Sequence, residues 1–117
     1  MEYVAPRTYL AETAKERDRR LAWFKDARFG MFIHWGLYSQ MGQGEWIQQM
    51  KQIPGEEYQK LQQTFTASKF DAHKIAETAK AAGAKYITLT TRHHEGFSLF
   101  DTKGLNTYDA PHSPVGR

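Results

Sequence analysis

Three histidines carry most of the chemistry this chain can offer. His34 closes the apolar run FGMFIHWGLY, and His93 and His94 close a second run, KYITLTTRHHEGFSL. A neutral imidazole donates from one ring nitrogen and accepts at the other, and it changes charge near neutral pH. Three carboxylates, Glu45, Glu95 and Asp101, have the chemistry of general acids, bases or nucleophiles. Trp35, Trp46 and Phe97 sit beside these polar groups and could form an apolar wall. Each residue also has a plainer reading. A histidine on an apolar strand is often a core residue, a His-His pair in a loop is often surface decoration, and Trp35 and Phe97 suit a core equally well. A metal is a further alternative, because His34, His93, His94 and Glu95 could supply three imidazoles and a carboxylate. The regular spacing of a motif such as HExxH is missing. No metal or other cofactor is therefore expected.

For these side chains to meet, distant segments must run side by side. Between the two runs lies helix-forming sequence, so they read as the strands of a βαβ unit, parallel and joined by a right-handed crossover. Parallel strands end at one rim, where α/β folds build their sites. His34, His93 and His94 are expected to converge there.

The rest of the chain supplies the supports. Met1 to Leu10 holds Pro6 and no periodicity, which predicts an extended arm. Thr13 and Glu16 have capping-box spacing, predicting a helix over Ala14 to Lys25 that buries Leu21 and Phe24. Phe29 to Trp35 is apolar on both alternating sets, as in a strand covered on both faces. Leu37 to Ile53, with Gly42, Gly44, Glu45 and Trp46, reads as a long loop too polar for a core. Pro54, Glu56 and Glu57 start a helix carrying Tyr58, Leu61 and Phe65. Asp71 caps another, with Phe70 and Ile75 as its staple, Gly83 as its terminator and an Ala72, Ile75, Ala76, Ala79 stripe for packing on a sheet. Tyr86 to Thr91 alternates, with Ile87 and Leu89 opposite Tyr86, Thr88 and Thr90. Ser98 to Asp101 suggests a short extension, and from Thr102 onward the tail is loop-like.

Composition narrows the class. A chain of 117 residues, 40% hydrophobic and 25% charged, suits one ordinary globular domain spanning 1–117. The net charge of +3 is densest in KERDRR, where acids are interleaved, so a solvated helix face is expected rather than a nucleic-acid surface. There is no cysteine to staple the fold. The start MEYVAPRTYL lacks an apolar leader, and no run of about 18 apolar residues occurs. A soluble, cytoplasmic chain without membrane partners is the expectation, although a chain whose signal had been removed would read the same.

At FGMFIHWGLYS, GEW (44–46), FDAHKIAETAKAAGAKYITLTTRHHEGFSLFDT and HSP, the chain resembles the N-terminal part of the α-L-fucosidases of glycoside hydrolase family 29. The resemblance runs from roughly Leu21 to Pro114, and it is the two histidine motifs together that make it specific. It implies an α/β fold: a partial (β/α) TIM-barrel fragment with two parallel strands and crossover helices, holding only the first two strand-helix units. A complete eight-stranded barrel takes about 250 residues and at least about 200.

The resemblance also assigns roles. His34, His93 and His94 match histidines that hydrogen-bond the hydroxyls of fucose, and Trp46 matches a tryptophan of the sugar pocket. The methyl group at carbon six of fucose offers an apolar patch for an aromatic wall. The family implies terminal α-L-fucosides or fucosylated glycans as substrate, hydrolysis with retention and no metal. Retention takes two carboxyl groups about 5 to 5.5 Å apart. The family's aspartate nucleophile lies on a later strand that is not in this sequence. Glu45 matches a glutamate at the pocket mouth considered for acid-base work, Glu95 stands where aspartate is frequent, and Asp101 follows SLF. All three remain candidates. After HSP the family continues with an Arg-Asp pair, where this chain has VGR.

Two parallel strands leave unpaired edges and do not form a sheet that stands alone. A homo-oligomer is the expected remedy, with a tetramer supplying eight strands. In such an assembly a neighbour's carboxylate could complete the pocket. A non-catalytic fucose-binding module and an inactive fragment awaiting a complementary chain are the alternatives.

Overall fold

The computed structural model describes residues 11–116; the arm expected for Met1 to Leu10 lies outside them. Helix α1, Ala14–Ala27, opens with the expected capping box. Thr13 Oγ1 accepts from the Glu16 amide at 3.3 Å, while the Thr13 amide donates to Glu16 Oε2 at 2.8 Å. No residue of α1 is buried, which corrects the expected Leu21 and Phe24 stripe. Instead Trp23 and Phe24 lean on Tyr86, with ring centroids 6.2 and 5.2 Å away.

Strands β1, Gly30–Ile33, and β2, Tyr86–Leu89, pair in parallel, with Gly30 opposite Tyr86 and Ile33 opposite Leu89. One backbone bond extends the ladder at each end, from Lys85 to Phe29 and from Thr90 to Ile33. β1 is shorter than the predicted Phe29 to Trp35 and is not covered on both faces: Phe32 is 61% exposed. Gly30 is required at its position, because any side chain there would run into the Tyr86 ring. Both strands are open on the other face too. There Met31, Ile33, Ile87 and Leu89 line a groove of about 650 Å³ beneath Ile75 and Thr78.

The crossover between the strands is made of short pieces: a 3-10 turn at Leu37–Gln40, α2 at Ile47–Met50, α3 at Gly55–Gln59, a second 3-10 turn at Lys60–Thr64, and α4 at Ala72–Ala81. Asp71 caps α4 through Oδ1, which accepts from the Lys74 amide at 3.0 Å, and Gly83 ends it with φ +83°. Only Ala79 of the α4 stripe is buried. Ser98 forms isolated bridges to Arg92 and Asp109, and a 3-10 turn at Ala110–His112 follows.

The core lies in the connections. Leu37, Tyr38, Ile47, Tyr58, Phe65, Phe97 and Ala110 form one buried cluster, and none of them belongs to a strand. The segment Leu37 to Ile53 was expected to be too polar for this role. Its few apolar residues are spaced so that each short helical turn delivers one of them inward, and burial depends on that placement rather than on mean polarity. No described helix is long and apolar enough to cross a membrane.

Candidate functional site

β1 delivers His34 one residue past its end, and the turn after β2 delivers His93 and His94. The register sets the two strand ends side by side. The ring centroids of His34 and His93 are 5.1 Å apart at 66°, and those of His93 and His94 are 4.1 Å apart at 79°. The three imidazoles meet at one rim.

The long connection closes over them. Trp46, 53% exposed, lies 4.1 Å from His94 by ring centroids. His94 Nε2–H donates to the Glu45 carbonyl at 3.0 Å, and because a carbonyl only accepts, this fixes the ring tautomer. A hollow of about 440 Å³ opens beside the pair, lined by Trp46, Gln48, Gln49, Gln52, Ile53 and His94.

The remaining candidates separate. Trp35 stacks on Phe70, with centroids 5.0 Å apart and planes 3° apart, in contact with the core, and lines the groove beneath α4 together with His34. Phe97 is 1% exposed and belongs to the core, so it is not available to form the expected ligand wall. Asp101 pairs with Lys103 at 2.9 Å on the surface. Glu95 is near the site but faces inward, its side chain 1% exposed and Oε2 4.0 Å from His93 Nδ1. Gly36 makes room for it, since a Cβ at that position would sit 2.8 Å from Glu95 Oε1. The Glu45 charge also acts on His93, favouring its protonated form. Among the described residues, no three His, Cys, Asp or Glu side chains are placed to hold one metal ion.

Electrostatics sharpen this arrangement. Burial first, then His94 and His34, push the His93 pKa below its ordinary value, with Glu45 opposing. Burial pushes Glu95 up. It also raises Tyr38, Tyr58 and Tyr108, and the Glu95 charge adds to each.

Four residues were missing from the sequence reading. Phe32 stands 4.9 Å from the His34 ring, and strand alternation two positions upstream was the available signal. Tyr38 approaches His93 at 5.6 Å. Tyr58 and Tyr108 reach the same neighbourhood through tertiary packing, which no local pattern encodes.

Comparison with known proteins identifies the family. The family model described as Alpha-L-fucosidase matches residues 2–114. The plasma α-L-fucosidase of Rattus norvegicus is 39% identical over 75% of this chain and 23% of its own length. Among solved structures, α-L-fucosidase isoenzyme 1 from Paenibacillus thiaminolyticus superposes with a TM-score of 0.82 at 48% identity, covering 86% of this chain and 24% of that one. A glycoside hydrolase family 29 α-L-fucosidase from Bacteroides thetaiotaomicron, trapped as a covalent intermediate with 2-fluoro-fucosyl fluoride, gives 0.79 at 39% identity over 86% and 25%. The chain thus spans about a quarter of the length of these relatives. With a family match over residues 2–114, which include both histidine segments, this chain belongs to the α-L-fucosidase family.

Proposed function

We propose that this chain recognises the fucosyl group of terminal α-L-fucosides and, as a partial (β/α) barrel completed by further copies of itself, hydrolyses them with retention. One observation carries the reading: three imidazoles from two parallel strands meet at one rim, 5.1 and 4.1 Å apart, with Trp46 against the third. Donor and acceptor nitrogens beside an exposed indole suit a deoxy sugar, whose hydroxyls hydrogen-bond while its methyl packs on the ring. The trapped covalent intermediate of the Bacteroides relative supports the retaining route. Self-association is supported by two strand edges that are unpaired among the described residues and by exposed Phe29, Phe32, Ile87 and Leu89.

A second reading, fucose binding without cleavage, draws on a different observation. Glu95 lies 4.0 Å from His93 but is buried on the inner side, and Asp101 is engaged by Lys103, so Glu45 is the one of the three carboxylates left at the open side of the histidines, its backbone carbonyl bonded to His94. Retention needs a second carboxyl about 5 to 5.5 Å from the first. Under the hydrolytic reading, a neighbouring copy or a complementary chain supplies it. Release of the aglycone from an aryl α-L-fucoside, with molar mass measured by light scattering on the same sample, separates these readings. Turnover by a multimer supports hydrolysis, saturable fucose binding without turnover selects the binding module, and a monomer that does neither removes both.

A further inference from the structure

Glu95, Tyr38, Tyr58 and Tyr108 form a buried polar group behind the histidines. Both Glu95 carboxyl oxygens, the Tyr58 and Tyr108 hydroxyls and His93 Nδ1 are sealed from solvent without a side-chain hydrogen-bond partner. Buried polar atoms without partners are costly, so such a concentration beside a binding site needs a reason. The His93 side chain is itself 16% exposed, so its sealed Nδ1 faces the carboxyl while another part of the ring faces the mouth.

We propose that Glu95 is the positioning residue of His93, its buried carboxyl fixing the ring through Nδ1 and leaving Nε2 for the ligand. Oε2 stands 4.0 Å from Nδ1. A hydrogen bond needs about 3 Å, so a side-chain shift of about 1 Å closes it. Neither atom has another side-chain partner, which favours the closure.

The protonation state follows from the surroundings. Tyr38 faces Glu95 from the first 3-10 turn, Tyr58 from α3, Tyr108 from the C-terminal loop, and His93 and His94 from its own turn. A hydrogen bond from its own backbone amide and, after it, the attraction of His94 favour its charged form, and burial outweighs both. A carboxylate in that setting is expensive, whereas the neutral acid has an O–H to donate. His93 meets His34 from the end of β1, Glu45 from the long connection, and Tyr38 and His94. Burial and the neighbouring imidazoles keep it neutral as well. The Glu95 O–H therefore donates to Nδ1, and His93 carries its own proton on Nε2. Gly36 admits the acid, since a methyl group at that position would push it out.

The identity of the ligand at Nε2 rests on the fucose reading, but the pairing does not. The test is nitrogen-15 NMR of the His93 ring in the wild-type chain, Glu95→Gln and Glu95→Leu, with L-fucose titrated separately. The wild type is expected to show the Nε2–H tautomer. Glu95→Leu loses that preference and binds L-fucose at least tenfold more weakly, while Glu95→Gln, whose amide donates as the acid does, restores the tautomer. An Nδ1–H tautomer in the wild type, or a His93 spectrum unmoved by Glu95→Leu, overturns the proposal. So does a fall of one unit or more in the His93 pKa on Glu95→Gln, the signature of a charged counter-ion. Should Glu95→Leu fail to fold, the wild-type tautomer and Glu95→Gln decide the matter. A chain that binds no fucose yet shows the tautomer rejects the sugar reading alone.

Discussion

The imidazoles of His34 and His93 meet edge to face, 5.1 Å apart, although one leaves β1 and the other follows β2. Parallel pairing alone brings them together. Under the fucose reading each ring supplies its own contacts to one sugar. His34→Ala is expected to weaken L-fucose binding about tenfold, or about 1.4 kcal/mol, the worth of roughly one good hydrogen bond. Titration calorimetry checks this, with circular dichroism on the same sample showing the fold retained. Unchanged affinity in a folded variant would remove His34 from the site.

Trp46 and Phe97 separate binding from stability. Trp46 is 53% exposed and Phe97 1%. Trp46→Ala should change unfolding free energy by no more than about 0.5 kcal/mol while lowering fucose affinity. Phe97→Ala opens the centre of the core and should cost about 3–5 kcal/mol. Urea denaturation of both variants, compared with their affinities, tests the pair.

His93 and Glu95 make stability depend on pH with opposite signs. The folded His93 pKa lies below 6.5, so the unfolded chain binds more protons and stability falls as pH drops below 6.5. The folded Glu95 pKa lies above 4.5, so the folded chain keeps a proton that the unfolded chain releases. Stability then declines from pH 4.5 upward until the folded value is passed. Glu95→Gln should remove this second decline and leave the first. Melting temperatures from about pH 4 to about pH 8 reveal both limbs, and identical profiles for the two proteins would count against a shifted carboxyl.

Asp109 ties the C-terminal loop to the core. It is fully buried, accepts from His112 Nδ1 at 2.6 Å and from Thr102 Oγ1 at 3.0 Å, and caps the turn through the His112 amide at 3.2 Å. Burial alone would raise its carboxyl, but the hydrogen bonds from His112 and Thr102 together hold it below 3.8. Its contribution is present above pH 3.8 and lost as pH falls through the lower folded value. Asp109→Asn should cost about 1–3 kcal/mol at neutral pH and flatten the acid limb. Denaturant unfolding at both pH values is the measurement.

The sequence reading went furthest where local rules suffice. The Thr13 and Asp71 caps, the Gly83 terminator and the parallel pairing that gathers His34, His93 and His94 all follow from spacing. It went less far with Phe97 and Trp35, whose aromatic character suits a pocket or a core and whose destination is settled by packing with Phe65 and Phe70. Leu37, Tyr38 and Ile47 were passed over because their segment looks polar on average, while burial acts on single side chains. Glu95 reads as a candidate for the second carboxylate, and only its burial beside Gly36 shows that it turns inward.

Because the buried cluster is drawn from connecting segments rather than from the ladder, resistance to unfolding should be unevenly distributed. Amide deuteration ought to be slowest around Phe97 and Ala110 and fastest along α1, none of whose residues is buried. On warming, the outer rods and ribbons would fray first, while the scaffold beneath the imidazoles persisted longest.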